Sequence, residues 1–227
     1  MNSSNSETPN SHSPSVSPEP NASLSAPHNR SALILVDLQN DFVTGGALAV
    51  PDGAAVVPLA NQLAPKFDLV VATQDWHPAD HQSFAANHVG LRVGESFELH
   101  GRPQIAWPVH CVQGTLGAEL IADLNRNLIH HVIRKGEDPT IDSYSGFFDN
   151  GGVRATGMEQ YLRDHGVTTV FIMGLATDYC VKFTALDAAK IGFATRLILE
   201  GCRGVELQPG DCQQALDQMR AAGVEII

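Results

Sequence analysis

The chain has 227 residues, of which 43% are hydrophobic and 17% are charged, a composition typical of a soluble globular protein with a substantial core. Fourteen lysine and arginine residues against 25 aspartate and glutamate residues give a formal net charge of −11. This acidic balance argues against nucleic acid or an anionic membrane as a partner. The length fits one ordinary domain and leaves the oligomeric state open, a homo-oligomer included.

Residues 1–30 differ from the rest of the chain, because serine, asparagine and proline dominate them and they contain no aromatic residue. Such a segment cannot bury enough apolar surface to offset its ordering entropy. We therefore predict a disordered tail over residues 1–30 and one domain over residues 31–227. A linker, a processed leader and a misplaced start codon are equally compatible with the tail.

The chain carries no sequence signal for export or membrane insertion. Residues 1–30 lack the apolar core of a signal peptide, and no apolar run approaches the ~18 residues of a membrane span. The cysteines form no Cys-x-x-Cys pair, and in a chain of this length they favour free thiols over disulfides. We expect a cytoplasmic protein.

From Ser31 onward, short apolar runs alternate with helix-like stretches. The apolar runs predict strands at residues 32–36, 69–73, 128–133, 168–173, 195–199 and 224–227. Helices are predicted at 54–63, 118–124, 156–164, 179–189 and 212–222, with Gly166 and Gly192 at helix C-terminal ends. This order is typical of an α/β protein with three α-β-α layers and a six-stranded, mostly parallel sheet.

Polar residues follow the predicted strands where ligands bind in such sheets, outside the carboxyl ends of the strands. Asp37 follows the first strand, the segment Gln74–His77 the second and Lys135 the third. Cys180 lies beyond the fourth, near a predicted helix start. We therefore expect these side chains to meet at one rim. The stretch over residues 76–117 is too long for a simple connector, which also favours a functional role.

Cys180, Asp37 and Lys135 have the chemistry of a nucleophile, a proton shuttle and a charge partner. A helix N-terminus favours a thiolate, and a buried lysine beside it would offset the negative charge. Asp37 could then move protons, since no histidine occupies the usual cysteine-protease arrangement. Taken singly, these residues could equally be a small buried cysteine, a loop carboxylate and a solvent-exposed lysine.

Asp75 and His77 form an Asp-x-His pair, whose side chains point the same way in an extended segment. With His110 as a third ligand they suit one divalent metal ion that keeps open positions, zinc being favoured over iron or manganese. His81 is either a fourth ligand or a partner of the ligands. The remaining histidines are interpreted as surface residues.

Several motifs resemble the nicotinamidase/pyrazinamidase group of the isochorismatase-like cysteine hydrolases, from about Ser31 to the C-terminus. They are Val36-Asp-Leu-Gln-Asn-Asp-Phe42, Gln74-Asp-Trp-His77, Trp107-Pro-Val-His-Cys111, Lys135-Gly136, Asp142-Ser-Tyr-Ser-Gly-Phe147, Gly174-Leu-Ala-Thr-Asp-Tyr-Cys180 and Gly201-Cys-Arg-Gly-Val205. The resemblance implies the isochorismatase-like hydrolase fold and the deamidation of nicotinamide to nicotinic acid and ammonia in NAD salvage. It also implies activity on pyrazinamide.

The same resemblance assigns roles to individual residues. It implies Cys180 as the nucleophile that forms a thioester, with Asp37 as acid and base and Lys135 as the third catalytic group. It implies a metal held by Asp75, His77 and His110, which binds the pyridine nitrogen or an adjacent water. A cis peptide between Leu175 and Ala176 is implied, with the N–H groups of Ala176 and Cys180 as an oxyanion hole. The implied ring pocket consists of Phe42, Trp107 and Tyr144, residues that in isolation would be interpreted as core.

Two other functions compete with this one. One is an amidase of the same superfamily that acts on an N-carbamoyl or ureido substrate, against which the metal ligands argue. The other is a non-catalytic homologue that binds a metal or a ligand, against which the three catalytic-type residues argue.

Overall fold

The computed structural model of the chain describes Met1 and residues 30–227, so the predicted disorder of residues 1–30 falls outside the described residues except at its two ends. The strands lie at Arg30–Val36 (β1), Leu69–Asp75 (β2), Ser96–Leu99 (β3), Arg102–Ile105 (β4), His131–Lys135 (β5), Val167–Leu175 (β6), Ala194–Arg203 (β7) and Glu225–Ile226 (β8). The α-helices lie at Val57–Leu63 (α1), Met158–Asp164 (α2), Lys182–Lys190 (α3) and Asp211–Ala221 (α4).

Six of these strands form one sheet in the order β5-β2-β1-β6-β7-β8, and every pairing in it is parallel. All residues of β2 and the last five of β1 are buried, so both faces of the sheet are covered. The predicted three-layer α-β-α architecture is confirmed. Gly166 and Gly192 follow α2 and α3 with positive φ angles, as predicted for helix C-terminal ends.

The predicted helix over residues 118–124 is wrong. The carbonyl of Ala118 instead accepts hydrogen bonds from the side chains of Gln39 and Gln74, each at 2.8 Å. The N–H of Ile121 donates to the carbonyl of Leu38 at 2.9 Å. Because these backbone groups bond to the segments after β1 and in β2, they are not available for a helix.

The predicted third strand is displaced along the chain. A strand was expected at residues 128–133, but β5 begins at His131 and ends at Lys135. Residues Arg126–Leu128 form a 3-10 turn, which the side chain of Asn125 caps by accepting from the N–H of Asn127. Lys135 is therefore the last residue of the strand, whereas the prediction placed it just beyond the strand.

The long segment after β2 contains an element that the sequence did not predict. Strands β3 and β4 pair antiparallel in a two-stranded sheet. Among the described helices, none combines the length and the apolarity needed to cross a bilayer.

The order of the strands sets the position of the site. The chain moves from β1 outward through β2 to β5, then returns to the other side of β1 with β6 and continues through β7 to β8. The connection that leaves β1 therefore runs toward one edge of the sheet, and the connection that leaves β6 runs toward the other edge. A crevice forms at the carboxyl ends of strands at such a switch point, where α/β proteins bind ligands.

Candidate active site and metal centre

Lys135 lies at the centre of a buried polar cluster at this crevice. Its Nζ is 2.9 Å from Oδ2 of Asp37 and 2.5 Å from Oδ1 of Asp75. It also donates to Sγ of Cys180 at 3.4 Å and to the carbonyl of Ser143 at 2.9 Å. Asp75 and Lys135 are register partners on β2 and β5, so the sheet itself brings this pair together. The predicted meeting of Asp37, Lys135 and Cys180 at one rim is found in the structure.

Asp37 leaves the end of β1 with a φ of 49°, which turns the chain away from the sheet. Thr73 on β2 fixes this residue twice, because its hydroxyl accepts from the N–H of Asp37 at 3.1 Å and donates to Oδ1 at 2.6 Å. The carboxylate is fully buried. Burial raises the pKa of Asp37 above its ordinary value, although Lys135 acts in the opposite direction.

The two carboxyl groups of the cluster, Asp37 and Asp75, have pKa values shifted in opposite directions. Burial acts to raise the pKa of Asp75, but Lys135 and His77 outweigh it and hold that pKa well below the ordinary value. Burial acts to lower the pKa of Lys135, but Asp37 and Asp75 outweigh it and hold that pKa well above the ordinary value. Lys135 and Asp75 are therefore a charged pair, while Asp37 is the carboxyl group that can hold a proton.

Cys180 lies in a π-helical turn over Thr177–Val181, directly before α3. The thiol is buried, and burial raises its pKa well above the ordinary value, with Lys135 as the opposing influence. Burial therefore acts against the thiolate that the helix start is expected to favour. A thiol in this setting needs a nearby base, and the ligand atoms of Asp37, Asp75 and Cys180 lie within 4.8 Å of one another.

The three predicted metal ligands also meet in the structure. Oδ2 of Asp75 is 3.7 Å from Nε2 of His77 and 3.9 Å from Nε2 of His110. The other ring nitrogens bond to the carbonyls of Gly136 at 2.9 Å and Pro108 at 2.8 Å. Because a carbonyl can only accept, each Nδ1 carries a proton, and each Nε2, which faces Asp75, is the nitrogen left to bind a metal ion. Two such nitrogens and one carboxylate fit a divalent metal ion.

His81 lies beside this trio but in a different grouping, with His77 and Asp142. The backbone N–H of Ser83 donates to its Nδ1 at 3.1 Å, so the neutral ring carries its proton on Nε2. That Nε2 is buried and has no hydrogen-bond partner among the described residues. The tautomer favours His81 as a hydrogen-bond donor toward whatever occupies the site, rather than as a fourth ligand.

One cavity opens above the thiol. The predicted ring-pocket residues Phe42, Trp107 and Tyr144 all line it, together with Ala176 and Cys180. The indole N–H of Trp107 donates to the hydroxyl of Tyr144 at 3.0 Å, and the ring of Phe42 meets that of His110 edge-on at 5.6 Å. The peptide between Leu175 and Ala176 is cis, as predicted. Sequence reasoning did not identify the further lining residues Leu48, Asp142, Tyr179 and Val205.

This fold and this cluster define a class of protein. The isochorismatase domain model matches residues 31–227, and the chain belongs to the isochorismatase-domain family. Its relatives within that family include several nicotinamidases. The nicotinamidase of Escherichia coli is 50% identical over 199 residues, which cover 86% of this chain and 93% of that protein.

Solved structures agree with the sequence comparison. The nicotinamidase/pyrazinamidase of Acinetobacter baumanii superimposes with a TM-score of 0.85 at 47% identity, over 88% of this chain and 96% of that chain. The pyrazinamidase of Pyrococcus horikoshii in complex with zinc has a TM-score of 0.70 at 39% identity, over 87% and 98% of the two chains.

Proposed function

We propose that this protein hydrolyses nicotinamide to nicotinic acid and ammonia, as a cytoplasmic step of NAD salvage, and that it also accepts pyrazinamide. The observation that carries the proposal is the Lys135-centred cluster, which sets the Cys180 thiol below an aromatic pocket and beside three metal-ligand side chains. The nicotinamidases among its relatives support the choice of substrate.

In the proposed first half-reaction, Cys180 gives its proton to Asp37 and its sulfur attacks the carboxamide carbon. The N–H groups of Ala176 and Cys180 donate to the oxygen that becomes negative. Asp37 then passes the proton to the departing nitrogen, so that ammonia leaves and a thioester remains. The raised pKa of Asp37 suits this role, because the group must take a proton from a thiol and return it to an amine.

In the second half-reaction, Asp37 removes a proton from a water molecule that attacks the thioester carbonyl. The carbon–sulfur bond breaks, the proton returns to Cys180 and nicotinic acid leaves. Lys135 offsets the negative charge that passes between sulfur and carboxylate, while its pairing with Asp75 keeps it in place. A divalent ion held by Asp75, His77 and His110 would supply Lewis-acid activation of water, an alternative to Asp37 for this step.

We assign Asp75, His77 and His110 as the ligands of one divalent ion, with zinc favoured and iron or manganese as alternatives. When bound, the ion supplies a Lewis-acid position for the pyridine nitrogen or its water, which orients the ring. His110 suits this role because burial, together with His77, lowers its pKa to about 4 and keeps the imidazole neutral at neutral pH. The N–H on Nε2 of His81 adds a donor beside the same position.

The metal-ligand trio and the catalytic cluster each argue against one competing function. An amidase for N-carbamoyl or ureido substrates would not need these three buried side chains to converge. A non-catalytic binding protein would not need a thiol, a carboxyl group and an ammonium group in contact. Measurements of nicotinamide turnover distinguish the proposed function from both alternatives.

Release of ammonia from nicotinamide tests the proposal directly. Cys180→Ala should abolish turnover, and Cys180→Ser should be nearly as inactive, because the chemistry needs the sulfur nucleophile. Circular dichroism should show that both variants keep the native fold. Cys212→Ala is the matched control, since Cys212 lies on α4 outside the cluster, and it should retain wild-type turnover. Near-normal turnover by Cys180→Ala would overturn the mechanism.

A further inference from the structure

The loop that follows β1 folds back on itself, and one carboxylate holds its two sides together. Oδ2 of Asp41 accepts from the N–H of Cys111 at 2.7 Å, and Oδ1 accepts from the N–H of Ala47 at 3.2 Å. The backbone of Asp41 adds two more bonds, donating to the carbonyl of Gly117 at 3.0 Å and accepting from the N–H of Leu48 at 2.9 Å. Asp41 thus joins two sides of its own loop to the segment over residues 111–117, which begins 70 residues further along the chain.

The surroundings leave this carboxylate little freedom. A Cβ atom on Gly117 would lie 2.1 Å from Oδ2 of Asp41, so only glycine allows the approach. Cys111 has a φ of 45°, a left-handed conformation that costs free energy in a residue other than glycine. The bond from its N–H to the Asp41 carboxylate stabilises that conformation.

Three residues of the candidate site are chain neighbours of residues that Asp41 holds or of Asp41 itself. Phe42 follows Asp41, Leu48 follows Ala47, and His110 precedes Cys111. Phe42, Leu48 and His110 all line the cavity above Cys180. One side of the ring pocket and one of the proposed metal ligands therefore depend on the same carboxylate.

We infer that Asp41 is a positioning residue that fixes the Phe42, Leu48 and His110 wall as one unit. It acts on binding of the pyridine ring and on retention of the metal. It does not act on the thiol, whose partners Asp37, Asp75 and Lys135 lie at the ends of β1, β2 and β5. This inference rests on the proposed function, which assigns both the pyridine ring to this pocket and a metal ion to His110.

Asp41→Asn tests the role with a change of one atom, because an amide nitrogen must then face one of the two N–H donors. We expect the KM for nicotinamide to rise about tenfold, with kcat changed less than about threefold, as for loss of one charged hydrogen bond. A chelator competition without substrate measures metal affinity. The variant should lose its metal at about a tenth of the chelator concentration that the wild type requires. The rate at which iodoacetamide alkylates Cys180 should not change.

Two further variants serve as a second perturbation of the same contact and as a control. Gly117→Ala keeps the carboxylate but forces it aside, so it should show the same rise in KM and the same loss of metal affinity. Asp52→Asn makes the same charge change on an exposed residue whose side chain makes no capping hydrogen bond, and it should match the wild type.

A folded Asp41→Asn protein with unchanged KM and unchanged metal affinity would overturn the inference, and so would a loss confined to kcat. If the wild-type protein fails to release ammonia from nicotinamide, the proposed function fails. The chelator competition then still decides the role of Asp41.

Discussion

Lys135 shows what sequence position could and could not predict at the scale of single residues. Its place at the end of an apolar run was enough to expect Asp37 and Cys180 nearby, because the carboxyl ends of parallel strands share one edge. The hydroxyl of Thr73 and the carbonyl of Ser143 were not predicted, because they reach the cluster only through strand register and a loop. The raised pKa of the Cys180 thiol was also missed, since burial depends on side chains from many segments.

Substrates that differ by one ring atom test the metal centre at this scale. If the ion contacts the pyridine nitrogen, benzamide should have a kcat/KM about a hundredfold below that of nicotinamide, as expected for loss of a specific polar contact. His77→Ala should lose bound metal by elemental analysis, and the difference between the two amides should then shrink. His131→Ala, an exposed histidine on β5, should keep both the metal and the preference. Equal turnover of the two amides by metal-loaded protein would contradict the contact.

At the scale of elements, apolar runs located the sheet strands well and the long segment after β2 poorly. The central strands are buried on both faces, so the runs are unbroken and easily identified. Strands β3 and β4 have four residues each and are mostly exposed or half-buried, and β4 includes Pro103. Such short segments carry little signal. The helix predicted over residues 118–124 does not form, because side chains from other segments bond to its backbone groups. Apolar spacing in the sequence does not reveal such bonds.

Contact between β1 and β6 leads to a prediction about stability. A Cβ atom on Gly174 would lie 2.1 Å from the carbonyl oxygen of Val36, and Gly174 has a φ of 132°. Gly174→Ala should therefore lower the free energy of unfolding by about 3 kcal/mol or more, measured by urea denaturation. Gly192→Ala is the matched control, with a φ of 91° and no atom within 4 Å of the added Cβ, and it should cost only about 1 kcal/mol. Equal losses would show that the backbones can separate easily.

For the whole molecule, the order of the strands explains why distant motifs form one site. The sequence predicted six parallel strands but not their order, because apolar runs do not specify which strands are neighbours. The observed order puts β1 and β6 side by side, so the segments that carry Asp37 and Cys180 leave adjacent strands. The match to the isochorismatase domain begins at residue 31, close to the start of β1.

The limits of the domain give a prediction for the first residues of the chain. Deleting residues 1–28 should leave the melting temperature and the turnover of nicotinamide unchanged, because β1 begins only at Arg30. Deleting residues 1–33 removes part of β1, the strand between β2 and β6, and should prevent folding. Circular dichroism melting curves and ammonia release measure both effects. A large loss in the shorter deletion would mean that residues 1–28 stabilise the domain.

The position of Lys135 on β5 links the catalytic cluster to the local stability of that strand. β5 is the edge strand of the sheet, so it has a neighbouring strand on one side only, and His131, Val132 and Arg134 are exposed. Edge strands fray before central strands do. Opening of the end of β5 would withdraw the ammonium group and leave the two buried carboxylates without their counter-ion. Competence for catalysis would then depend on the local opening free energy of one short strand and not only on the stability of the whole domain.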